Sequence, residues 1–179
     1  QGYAIDATAF GAMTAGQISM VGTAAGMGVR ADAGLSATTG NLTLSSNGDL
    51  TVASHTAQQD VSMTSAGNVT LAGTGMAGSG YTVNAAGDVV SNGTVQSGAD
   101  LSITAGNNVA LAGQSTAQNN VTLSAGRDVS LSGSLASGKA FTATVAGAFS
   151  VPGSLLVGTD AMLSSGTLAS LDTRGSAHA

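Results

Sequence analysis

The sequence predicts an all-β fold: a right-handed parallel β-helix, a solenoid of about 19–20 residues per coil. Three observations carry that expectation. A short alternating apolar/polar run recurs at nearly constant spacing, a second apolar column follows each run at a fixed offset, and the composition is poor in helix formers. Among 179 residues there are 27 glycines, one proline and no glutamate, and the basic residues are Arg30, Arg127, Lys139 and Arg174. Glu, Lys and Arg favour helices whereas Gly, Ser, Thr and Asn do not, which argues against a helical bundle.

The first column starts at Asn41-Leu-Thr-Leu44 and returns at Asp60-Val-Ser-Met63, Gly80-Tyr-Thr-Val83, Asp100-Leu-Ser-Ile103, Asn120-Val-Thr-Leu123 and Ala140-Phe-Thr-Ala143. The steps between starts are 19, 20, 20, 20 and 20 residues. Period-two alternation marks half-buried strands. The second column is Leu50, Val69, Val89, Val109, Val129 and Phe149. Between the two lies a glycine turn: Gly48-Asp49, Gly67-Asn68, Gly87-Asp88, Gly106-Asn107 and Gly126-Arg-Asp128. Glycine beside Asn or Asp supplies the positive-φ or side-chain-capped backbone of a tight corner. A looser third segment follows, with Met76, Val95, Leu135 and Leu155 as its inward residues and His55 on its solvent side.

A hairpin meander would also give short strands and turns, but it would not keep the same apolar positions in phase over six units. Stacked coils do, placing Leu44 over Met63 over Val83 over Ile103 over Leu123. A lone coil buries too few side chains to offset the ordering of its backbone, so coils must stack to fold. Crossover chirality makes the coil right-handed. About nine coils at ~4.8 Å per strand would form a rod roughly 43 Å long.

Three regions are expected. Residues 1–40 are irregular first coils, 41–171 are regular repeats, and 172–179, without core residues, are a frayed tail. Within the regular region Phe141, Phe149 and Val151 keep the columns, and Pro152 suits a corner. The opening Gln1-Gly-Tyr-Ala4 has neither Met nor a signal-peptide pattern, which reads as an internal slice of a longer chain.

Composition also bounds the function. Four scattered cations and a net charge of −5 suit neither a nucleic-acid surface nor an anionic membrane. No apolar run is long enough to span a bilayer as a helix. Without cysteine there is no disulfide framework and no thiolate metal site. Mean hydropathy of +0.29 is compatible with an ordered chain despite the low charge.

The motifs Ala4-Ile-Asp6, Gly11-Ala-Met13, Ile18 to Thr23 and Gly26 to Arg30, followed by the twenty-residue units from Asn41, resemble the filamentous haemagglutinin family of two-partner-secretion exoproteins. The resemblance covers essentially the whole chain. It implies a shaft of an adhesin or a contact-dependent inhibition protein, secreted or held on the surface of a Gram-negative bacterium. It also implies an outer-membrane transporter as the partner during export. A receptor on a host or neighbouring bacterial cell would be engaged by other parts of the chain.

Candidate chemistry is sparse. Gly73-Thr-Gly75-Met-Ala-Gly78 matches a dinucleotide fingerprint literally, but a strand rather than a helix follows, so it reads as a corner. His55 and His178 are the only histidines and assemble no triad or metal set. The corner residues Asp49, Asn68, Asp88, Asn107 and Asp128 read as turn caps rather than calcium ligands, since the glycine-rich calcium-roll repeat is absent. Outward Thr43, Ser62, Thr82, Ser102, Thr122 and Thr142 form a hydroxyl ladder suited to solvent, with a glycan-facing surface as the sharper reading. No catalytic residue, cofactor or metal is expected. The first function reading is therefore a non-catalytic shaft giving reach and display. The alternative is a β-helical polysaccharide-binding or polysaccharide-degrading protein, for which turnover lost on replacing Asp100 would be the sign. Ice binding by the threonine ladder is a third, decided by thermal hysteresis.

Overall fold

A computed structural model describes residues 2–6 and 11–171, the last four of these by backbone alone. The expected tail at 172–179 lies outside the described residues. Every regular element among the described residues is a β-strand, and every pairing between strands is parallel. The chain is a β-solenoid of about eight turns.

Each turn contributes one strand to each of three faces. The first face carries the five-residue strands Ile18–Gly22, Leu42–Ser46, Val61–Ser65, Tyr81–Ala85, Leu101–Ala105 and Val121–Ala125. The second carries Gly28–Ala31, Leu50–Val52, Val69–Leu71, Val89–Ser91, Val109–Leu111 and Val129–Leu131. The third carries Met13–Ala15, Leu35–Ala37, His55–Ala57, Gly75–Ala77, Val95–Ser97, Gln114–Ala117, Ser134–Ser137 and Ser154–Val157. In Phe141–Val151 and Ala161–Leu171 a single strand runs around the corner from the first face to the second, joining the two faces into one sheet.

Alternation explains the core. On the first face residues 1, 3 and 5 of a strand point inward, as in the buried–half-buried–buried pattern of Leu101-Ser-Ile-Thr-Ala105. Leu44 pairs with Met63, Met63 with Val83, Val83 with Ile103 and Ile103 with Leu123. The second column pairs Leu50, Val69, Val89, Val109, Val129 and Phe149 in turn. All eleven of these side chains are at most 1% exposed, so they form one continuous dry column.

Two expectations are corrected here. The turns number about eight rather than nine, because the first described turns are longer: Ile18 pairs with Leu42 and Tyr3 with Gly28, steps of 24 and 25 residues. Met76 is not an inward residue. Gly75 and Ala77 pair with His55 and Ala57 and point inward, which leaves Met76 43% exposed. A one-residue error of phase moves a side chain to the opposite face.

Candidate functional site: side-chain ladders and a buried histidine

Corners, rather than faces, hold the chain's polar chemistry. Between the first and second faces, Oδ1 of Asp49 accepts the backbone N–H of Asn68 (2.8 Å), and Oδ1 of Asn68 accepts that of Asp88 (2.8 Å). Oδ1 of Asp88 accepts that of Asn108 (3.0 Å), Oδ1 of Asn108 that of Asp128 (3.2 Å), and Oδ1 of Asp128 that of Ala148 (2.7 Å). Acid and amide alternate up this ladder. Carboxylates therefore sit two rungs apart, and each intervening amide donates downward: Asn68 Nδ2 to Asp49 and Asn108 Nδ2 to Asp88. Like charges one rung apart would repel, and the alternation removes that.

The ladder corrects one expected member. Asn108, not Asn107, is the rung; Asn107 contributes only backbone, donating its N–H to Gly87 O and accepting that of Arg127. Glycine shifts one place earlier in these two turns, so alignment on Gly106 and Gly126 misplaces the neighbour. The residue directly before each second-column aliphatic (Asp49, Asn68, Asp88, Asn108, Asp128) was the available signal.

The glycines of this corner do not use positive φ. Among the described residues only Gly11 and Gly26 do, both at 71°. Gly48, Gly67, Gly87, Gly106 and Gly126 are required by close approach instead. A Cβ on Gly48 would stand 2.6 Å from the Met27 carbonyl carbon, and one on Gly67 would meet Asp49 Oδ1. One on Gly87 would meet Asn68 Oδ1, and on Gly106 or Gly126 the carbonyl oxygen of the turn below. The corner between the second and third faces is a glycine stack, Gly73, Gly93, Gly113, Gly133 and Gly153. A Cβ on each of the last four would strike the carbonyl oxygen of the glycine beneath.

A second ladder, missed by the sequence reading, runs along the corner between the third and first faces. Asn41 Oδ1 accepts Asp60 N–H, Asp60 Oδ1 accepts Gly80 N–H, and Asp100 Oδ1 accepts both the N–H and the Nδ2 of Asn120 (3.0 Å each). Asn120 Oδ1 then accepts Ala140 N–H. Asp100, the residue that would carry a glycosidic carboxylate role, is thus a rung between turns. The hydroxyl ladder Thr43, Ser62, Thr82, Ser102, Thr122 and Thr142 lies on the outer side of the first face, in register from turn to turn. Among the described residues no group of three His, Cys, Asp or Glu is placed to hold a metal ion, and no helix is long and apolar enough to cross a membrane.

His55 overturns its expected exposure. It occupies the first inward position of its third-face strand and is 1% exposed. Its Nδ1 lies 2.8 Å from the carbonyl of Ala53. A carbonyl only accepts, so Nδ1 carries the proton and the Nε2 lone pair accepts the hydroxyl of Tyr81, which is itself fully buried. The two rings lie 5.7 Å apart at 50°. Gly75, stacked directly above His55, makes the meeting possible: a Cβ there would collide with Nε2 and stand 2.7 Å from the Tyr81 oxygen. Burial pushes the His55 pKa down, with the Ala53 carbonyl opposing it, and pushes the Tyr81 hydroxyl up.

Residues 113–153 match the Hemagglutinin repeat family. The matched segment runs from one ladder glycine, Gly113, through Gly133 to another, Gly153, and so takes in two turns of the solenoid. That stretch is a filamentous-haemagglutinin-like repeat. No curated protein matches the chain, and no solved structure does. The haemagglutinin repeat implies an extracellular or surface protein.

Proposed function

We propose that this chain is a stretch of non-catalytic shaft in a large exoprotein secreted by a Gram-negative bacterium through a two-partner-secretion outer-membrane transporter. Its work is reach and display, holding an adhesive or growth-inhibiting region away from the producing cell. The observation that carries this reading is the in-register pairing of successive turns from Leu42 to Ser150, which runs through most of the matched haemagglutinin repeat. Each turn contacts only its neighbours, so length scales with the number of turns and stiffness comes from the ladders that tie one turn to the next. Carboxylates spent as rungs at Asp60, Asp88, Asp100 and Asp128 support a structural use of the acids over a polysaccharide-cleaving one.

The test is a swap in the full exoprotein. Replacing residues 42–151 with an equal number of unrelated haemagglutinin-repeat turns should keep surface display, filament length in electron micrographs, and adhesion or growth inhibition. If length and display persist while adhesion or inhibition is lost, the stretch binds something itself and the shaft reading fails.

A further inference from the structure

We propose that His55, Gly75 and Tyr81 form an acid-sensitive latch between stacked turns, closed by the neutral imidazole and opened locally by its protonation. The latch is independent of what the shaft displays.

Geometry sets the span. His55 and Gly75 stack on the third face, and Tyr81 begins the first-face strand of the following turn, in register with Val61 below and Leu101 above. The Tyr81 hydroxyl therefore reaches down past Gly75 to the ring below it, so one side-chain hydrogen bond spans 26 residues, a little more than one turn. Elsewhere the inward columns hold aliphatics, Phe141 and Phe149, alanine and a few serines.

Chemistry makes the latch one-directional. With Nδ1–H committed to Ala53, the neutral ring can accept from Tyr81. A protonated ring carries N–H at both nitrogens, so Nε2–H then faces the Tyr81 O–H. If the Tyr81 oxygen turns to accept, its own proton loses its only acceptor in a dry site. The groups that face the ring are the Leu35 side chain from the turn below, the Gly75 backbone from the turn above, the Tyr81 hydroxyl and the Ala53 carbonyl. The inward residues of the second-face strands at this level, Leu50, Val52, Val69 and Leu71, are aliphatic, as is Val61 on the first face. Among the described residues no charged group acts on the imidazole, so a buried cation there lacks a counter-charge from them.

The sign follows. Burial holds the folded imidazole's pKa below its ordinary value, so in the window between that depressed value and about 6.5 the opened state takes up a proton that the closed state does not. Above that window both states are neutral and pH has no effect. Within it, each unit of acidification multiplies the local opening equilibrium about tenfold.

Hydrogen exchange on the whole chain, corrected for intrinsic rates, tests this at pH 7.5 and pH 5.0. Amides of residues 50–57, 75–77 and 81–85 should open several-fold more at the lower pH. Amides of 121–145, far along the stack, should hold. The double variant His55→Leu, Tyr81→Phe, which makes the column apolar throughout, should abolish the response. An equal response in that variant, or a uniform rise that includes 121–145, would overturn the latch. So would NMR titration of His55 in the unmodified protein with the midpoint of an exposed imidazole, about 6.5, a measurement that does not depend on any variant folding.

Discussion

Asn108 donates its side-chain amide to Asp88 of the turn below at 2.9 Å, and its Oδ1 accepts the backbone N–H of Asp128 in the turn above. One amide thus satisfies two turns and separates two carboxylates. Asn107, its neighbour, joins the stack through backbone alone. Asn108→Ala should therefore cost about 1–2 kcal/mol, the loss of a hydrogen-bonded rung that leaves an N–H unsatisfied. Asn107→Ala should stay within about 0.5 kcal/mol. Urea midpoints of the two variants, side by side, decide which residue is the rung.

The glycine stack makes a second contrast. A Cβ on Gly113 would stand 2.7 Å from the carbonyl carbon of Gly93 and 2.9 Å from Asn92 O, all backbone that cannot rotate away. At Gly26, with φ of 71°, a methyl would find nothing within 4 Å. Gly113→Ala should lose about 2–3 kcal/mol through overpacking. Gly26→Ala should lose about 1 kcal/mol, the left-handed penalty reduced by the stiffer unfolded chain. Thermal melts of both report the order.

Around the latch, energies should not add. Tyr81→Phe leaves Nε2 of His55 without its donor and should cost about 1–3 kcal/mol at pH 7.5. Gly75→Ala drives a methyl between the rings and should cost about 1–3 kcal/mol. Combined, the loss should fall short of the sum by at least about 0.5 kcal/mol, because removing the hydroxyl already relieves part of the collision. A double-mutant cycle by chemical denaturation measures it.

Excising one turn, residues 120–139, rejoins Asn119 to Ala140, whose strand already continues the same column, and cooperative melting should survive. Excising only residues 120–129 removes a first-face strand, brings second-face residues to the wrong corner and should abolish the cooperative transition. Circular dichroism melts of the two chains give the answer.

Much of this architecture was legible from residues alone, and the errors are instructive. Leu44, Met63, Val83, Ile103 and Leu123 sit on five-residue strands with three inward positions each, so their phase is over-determined by the aliphatic pattern. Third-face strands such as His55–Ala57 and Gly75–Ala77 have two inward positions, filled here by a histidine, a glycine and alanines. Those residues carry little hydrophobic signal, so Met76 looked like the inward residue and His55 like a surface one. Asn107 took the place of Asn108 for a different reason: Gly106 stands two residues before its rung, where Gly48, Gly67 and Gly87 stand one before theirs.

The sequence by itself determined the all-β stack, its twenty-residue period and the two aliphatic columns, because alternation and repetition are local properties that a chain displays in its own order. Only the tertiary structure decided the burial of His55, its bond to Tyr81, the alternation of acid and amide at the corner and the reason for the glycines. Each of these depends on what lies directly above or below, about twenty residues away for the ladders and glycines and 26 residues away for Tyr81. A side chain's partners across the stack are set by register, and register is a property of the packed coil.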